Sequence, residues 1–140
     1  MRRLGLVAAL LVGLLGCASP AATPVLREVR IGDAPWQVME ATPDGMRGQV
    51  GFGPADGMLF DLGAETDPGA VVFVMDNVAI PLDIAWFDTD GRLLGVARMP
   101  RCGDAACPRF RAPGPFRWAV EARPGAFDGL DEGARLEIPD

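Results

Sequence analysis

Backbone breakers are the strongest constraint on what this chain can fold into. Its 18 glycines and 13 prolines are spread along the length. Between them the apolar residues fall into runs of strand size rather than helix size. Val25 to Ile31 alternates imperfectly, with Glu28 and Arg30 on one side and Val29 and Ile31 on the other. Trp36 to Ala41, Gly57 to Leu62, Val71 to Met75, Leu82 to Phe87 and Arg92 to Arg98 follow as strand candidates. Arg117 to Ala122 alternates cleanly, which predicts Trp118 and Val120 inward and Arg117 and Glu121 outward. Ala134 to Ile138 closes the chain with Leu136 and Ile138 inward. The segment "ATPDGMRGQV" (41–50) has room for one weak helical turn, but Gly45, Gly48 and Gly51 oppose a long helix. The expected fold is mainly β (a β-rich α+β class): one compact barrel- or sandwich-like domain with an antiparallel or mixed sheet and at most one or two short helical turns.

The first residues belong to a different regime. Met1-Arg2-Arg3 followed by "LGLVAALLVGLLG" is a charged start and an apolar stretch too short for a comfortable membrane span, the pattern of an export signal over 1–16. The stretch ends in Leu14-Leu15-Gly16-Cys17, which resembles the lipobox of bacterial lipoproteins. That resemblance implies cleavage before Cys17 and a membrane anchor of several acyl chains, where one chain alone would hold only marginally. The competing reading is ordinary cleavage after Ala18 at Gly16-Cys17-Ala18, releasing a soluble periplasmic protein. Residues 17–24 then form a lipidated cysteine and a short tether; the seven residues "ASPAATP" reach only ~25 Å when extended. Residues 25–140 form a single β-rich domain. Ala18, not aspartate, follows the cysteine, which by resemblance to sorted lipoproteins favours the outer membrane, on its periplasmic side.

Cysteine parity supports the anchor. Three cysteines in an exported chain leave one odd thiol. If Cys17 is lipidated, Cys102 and Cys107 remain as a pair, read as a structural disulfide whose small loop restricts the unfolded chain by about 2 kcal/mol. A metal site is the sharper alternative, but two thiols need further ligands and the chain has no histidine.

The residues that are missing narrow the chemistry. Beyond the leader there is no His, Lys or Tyr, and the one serine, Ser19, lies in the tether. Ser-His-Asp hydrolysis, Schiff-base lysines, phosphate loops and histidine metal sites are therefore excluded. Carboxylates, arginines, four threonines and one asparagine, Asn77, remain. Without Arg2 and Arg3, 11 arginines face 19 acids, a net charge of −8. Nucleic acid and anionic headgroups are poor partners for such a surface. Neither a cofactor nor a metal is expected, and the domain is expected to be monomeric.

Two acidic motifs need separate weighing. "FDTDGRL" (87–93) begins like a calcium loop but lacks the later ligands, and an Asp-Gly turn between strands explains it. In "VVFVMDNVAIPLDIAWFDTDG" (71–91), Asp76 and Asn77 have the chemistry of a turn, and Pro81 belongs at a strand start or edge. Asp83 is different, because it falls within a strand and shares a face with Ala85 and Phe87. A carboxylate there must be paired, or its desolvation is costly.

Taken together, "GMLF" (57–60), "FVMDNVAIPLDIAWFDTDG" (73–91), "CGDAACPRF" (102–110) and "WAVEARPG" (118–125) resemble the bacterial family called domain of unknown function 192. The resemblance covers nearly all of the chain after the leader and implies a compact, mostly β domain, often exported, of uncharacterised role. The family usually reads Phe-Trp-Met-Lys-Asn-Thr where this chain has Phe73-Val74-Met75-Asp76-Asn77-Val78, and its arginine followed by Gly-Leu-Met is degraded here to Arg47-Gly48-Gln49-Val50. Asn77, Pro81, Leu82 and Asp83 are kept. On that pattern Arg47, Asn77 and Asp83 form a structural polar cluster, with Arg47 the partner of Asp83. The leading expectation is a small envelope lipoprotein with a non-catalytic β domain that binds or supports another envelope component, a protein or a glycan. The alternative is a carboxylate-based enzyme, similar to a glycan hydrolase, using Asp76 and Asp83.

Overall fold

The computed structural model describes residues 23–103 and 106–140. The leader and Cys17 lie outside the described residues. Among those described there is no helix, and the chain is built from β1 (Leu26–Ile31), β2 (Ala34–Glu40), β3 (Gly57–Thr66), β4 (Phe73–Val74), β5 (Leu82–Phe87), β6 (Leu93–Met99), β7 (Arg109–Phe110), β8 (Phe116–Ala122) and β9 (Leu136–Glu137). Segment 41–50, where one helical turn had room, is a succession of tight turns around Gly45 and Gly48, both at positive φ.

Seven strands form one mixed sheet in the order β6-β5-β8-β3-β2-β1-β9, and β4 pairs with β7 in a small second sheet. Every named pairing in the large sheet is antiparallel except β2 with β3, where Val38 faces Gly57. The sheet curls into a half-barrel until its two ends meet. Arg92 bridges Arg135, the Leu93 N–H donates to the Ala134 carbonyl at 2.9 Å, and the Leu136 N–H donates to the Gly91 carbonyl at 2.8 Å. Gly91 permits this closure for two reasons. Its φ is +78°, and a Cβ there would run into the Leu136 carbonyl oxygen.

Both faces of the middle of the sheet are covered. One face packs Val29, Ile31, Val38, Leu59, Phe87 and Val120 beneath Phe127 and Leu136. The other packs Met58, Ile84, Trp86 and Ala119 against Met46, Phe52, Phe73, Met75 and Val78, carried by the loops and the small sheet. Each fully buried large apolar side chain contributes roughly 1.5–3 kcal/mol relative to exposure. Aromatic contacts order both cores: Trp36 stacks on Phe127 at 5.3 Å, and Phe73 meets Phe60 edge-on at 5.3 Å.

This double cover overturns one expectation from the sequence. β5 is buried at all six positions, and β8 beside it has no solvent face. Trp118 and Val120 do face one core, but Glu121 faces the other and is itself buried. Alternation predicts inside and outside only where one face stays wet. The Cys102–Cys107 disulfide is present, with its Cα atoms 5.3 Å apart, and ties the loop that leads into β7.

Candidate functional site

The acids and amides of 71–91 separate into three places. Between β4 and β5, the Val78 N–H donates to the Met75 carbonyl at 3.2 Å and closes a tight turn. Asn77, at φ 56°, is the one non-glycine residue with positive φ among the described residues. Asparagine tolerates that left-handed conformation better than other side chains do. Its carbonyl accepts the Gly48 N–H at 3.2 Å, joining this turn to the turns of 42–48, and its Nδ2 donates to Asp76 Oδ2 at 3.3 Å. Both Asp76 and Asn77 are exposed.

Asp83 occupies another environment. It is 2% exposed, and three donors reach its carboxylate. The Gly125 N–H lies at 2.7 Å from Oδ2, Arg98 Nε at 3.2 Å from Oδ1 and Arg98 Nη2 at 3.4 Å from Oδ2. Arg98 stands directly opposite on β6, and Gly125 lies in the loop after β8. One carboxylate thus fastens β5, β6 and the loop that carries Phe127 over the core. The arginine on Asp83 is Arg98, not Arg47. The structure therefore does not gather Arg47, Asn77 and Asp83 into one cluster: the first two belong to neighbouring turns, and Asp83 lies in the strand beyond. The "FDTDGRL" segment is a turn in which Asp88 Oδ1 accepts the Asp90 and Arg92 N–H groups at 2.9 and 2.8 Å.

A second buried acid has no such arrangement. Glu121 sits on β8 between Met58 of β3 and Ile84 of β5, and is 6% exposed. Its Oε2 has no hydrogen-bond partner. Burial pushes the carboxyl up to about 7, and no positive group opposes that shift. Glu121 lines a cavity of about 280 Å³. Phe60, Phe73, Val71 and Val78 contribute its apolar walls, and the exposed Asp44 and Arg47 of the 42–48 turns stand on it as well. Neither Asp76 nor Asp83 lines this cavity. The sequence carried one faint sign of Glu121: it interrupts an otherwise apolar run, "WAVEA", that is long enough to be a central strand. A buried acid poised near neutrality on the wall of such a cavity can accept hydrogen bonds from a cation when ionised, or donate one when protonated.

The family model of domain of unknown function 192, described as an uncharacterized ACR, matches residues 28–138. None of the curated proteins searched matches the chain. Two solved structures share the fold. A protein from Sinorhizobium meliloti, described as a "putative transcription regulator", aligns over 84% of this chain and 97% of its own, with a TM-score of 0.69 and 23% identity. A protein of unknown function from Novosphingobium aromaticivorans aligns over 86% of this chain and 94% of its own, with a TM-score of 0.68 and 24% identity. At these identities the likeness is one of fold alone.

Proposed function

Since the chain belongs to the uncharacterized family of domain of unknown function 192, we propose, from its own residues, that it is a small envelope lipoprotein whose β domain is a binding module and not a catalyst. The anchor is diacylglyceryl at Cys17, on the periplasmic side and in the outer membrane by preference. Two observations support the anchor: the Leu-Leu-Gly-Cys sequence, and a disulfide between Cys102 and Cys107 that leaves Cys17 as the remaining cysteine. The partner is another envelope component, and the acidic surface disfavours nucleic acid.

The observation that carries the binding reading is the Glu121 cavity, a concave site of mixed polar and apolar lining with one buried acid set into it. The enzyme alternative draws no support from the geometry of its acids. The Asp83 carboxylate is occupied by Arg98 and Gly125, whereas paired-carboxylate hydrolysis needs two acids facing one open cleft.

Two measurements test this function. Cys17→Ser should move the protein out of the membrane fraction or leave it unprocessed; a mutant that stays membrane-bound at mature size overturns the anchor. The purified protein should be melted against a panel of envelope components, among them muropeptides, amino acids and polyamines. At least one should raise the melting temperature, and Val72→Trp, which adds bulk at a position that also lines the cavity, should abolish that rise. A panel on which nothing binds, or a component that is consumed, defeats the binding-module reading.

A further inference from the structure

Building on that binding-module reading, we infer that the cavity takes a small amino-carboxylate zwitterion with an apolar body, its ammonium against Glu121 and its carboxylate against Arg47. The two charged anchors come from different parts of the fold. Glu121 is held rigidly in the central strand β8, with an oxygen that nothing in the protein satisfies. A buried carboxylate in that state gains strongly from a charged donor, because the alternative is a desolvated and unpaired charge. Arg47 is exposed on the 42–48 turns, and its guanidinium makes no hydrogen bond or ion pair among the described residues. The arginines at 27, 98 and 117 differ, since each meets an acid.

Arg47 and Glu121 line the same cavity, yet no ion pair or hydrogen bond joins them among the described residues. Its charge therefore stands off from the acid. A ligand carrying both charges would satisfy the two groups at once, where the protein leaves them apart. The surface between them selects the body of the ligand. Phe60, Phe73, Val71 and Val78 suit an apolar body, and the lining carries one hydroxyl, that of Thr42. The cavity volume, about 280 Å³, lies just under the usual range of ligand pockets and suits one small molecule. Asp44, the remaining charged side chain on the cavity, is exposed on the same turn as Arg47, while the strands flanking Glu121 present Met58 and Ile84.

Titration calorimetry on the full chain in detergent tests the inference, with L-leucine and L-phenylalanine as probes. Isopentylamine and 4-methylpentanoate serve as leucine analogues lacking one charge each. At pH 7.5 leucine or phenylalanine should bind at least about tenfold more tightly than either single-charge analogue. Arg47→Ala should reduce leucine to the level of the amine and leave the amine unchanged, whereas Glu121→Gln should weaken both. Amine binding should fall as pH drops from 8 to 6, since Glu121 takes up its proton while the ligand stays charged. If the carboxylate analogue binds best, and more tightly below pH 7, the assignment of Glu121 to an ammonium is overturned. If neither amino acid binds while another panel compound binds in a manner sensitive to Val72→Trp, the zwitterion is wrong and the binding module stands. If nothing binds, both fall.

Discussion

Asp83 and Glu121 are buried to a similar degree, on adjacent strands of the same sheet, and their situations are opposite. The Asp83 carboxylate receives three donors, two from a guanidinium and one from a backbone amide. Glu121 has an oxygen with none. Asp83 faces the core closed by Phe127, and Glu121 faces the core bordered by the cavity. Burial alone therefore does not separate a structural acid from a functional one; the count of satisfied lone pairs does. An acid with all its partners supplied by the protein holds the fold together. An acid without them costs stability and is available to something else.

The largest expected effect tests the structural half of that contrast. Asp83→Ala removes the acceptor for the half-buried Gly125 N–H and for Arg98. It should cost about 2–4 kcal/mol in urea or guanidinium unfolding, from the stranded donor and the lost charge pair. The lower part of that range is favoured, because the Arg98 side chain is 63% exposed and can turn to water. A loss under about 0.5 kcal/mol, the level of an ordinary surface change, would show that Asp83 does not clip the 123–131 loop to β5.

The next effect is of similar size, opposite sign and confined to one pH range. The Glu121 carboxyl is raised from 4.5 to about 7 in the folded state. Below pH 4.5 both folded and unfolded chains hold the proton, and the group contributes nothing. Between 4.5 and 7 the unfolded chain releases its proton first, so stability falls as pH rises, and above 7 the full cost is present. A difference of about 2.5 units at 1.36 kcal/mol each makes that cost about 3 kcal/mol. Glu121→Gln removes the titration. Relative to its effect at pH 4, the substitution should therefore gain about 3 kcal/mol at pH 8, measured by denaturant unfolding at both pH values. An equal effect at the two pH values would mean that Glu121 has a partner and the contrast with Asp83 is false.

The sequence showed these two acids unequally. Asp83 was visible as a polar residue inside an apolar strand, and β5 runs over Leu82–Phe87 as its composition predicts. Its partner was not visible, for a reason of register. Counting outward from the Asp90-Gly91 turn with the Phe87–Leu93 pairing would place Ala97 opposite Asp83. An irregularity between Trp86 and Phe87 shifts the pairing by one residue and brings Arg98 there instead. Alternation along β8 points Glu121 outward only if one face of the strand stays wet. The loops over 41–56 and 67–81 cover that face, and nothing in the local pattern of β8 announces them. β7 has no local signal either, since two residues after a disulfide loop carry no periodicity. Local pattern thus located strands and turns, while the contacts that decide the role of each acid came from pairing across the chain.

The smallest expected effect concerns the turn between β4 and β5, where the sequence placed Asp76 and Asn77. Asn77 holds a left-handed backbone, which costs an ordinary L-residue about 1 kcal/mol and glycine essentially nothing. Asn77→Ala should thus destabilise by about 1 kcal/mol, and Asn77→Gly should stay within about 0.5 kcal/mol of the wild type. The contact with Gly48 comes from the Asn77 carbonyl, so both variants can keep it. Asp76→Ala should fall within about 0.5 kcal/mol as well, because its carboxylate is exposed and its one hydrogen bond, from Asn77 Nδ2, spans 3.3 Å. Should Asn77→Gly cost as much as Asn77→Ala, the side chain and not the backbone conformation would be what the turn requires. That result would make Asn77 a candidate binding residue, since Val78, the next residue, lines the cavity together with Arg47.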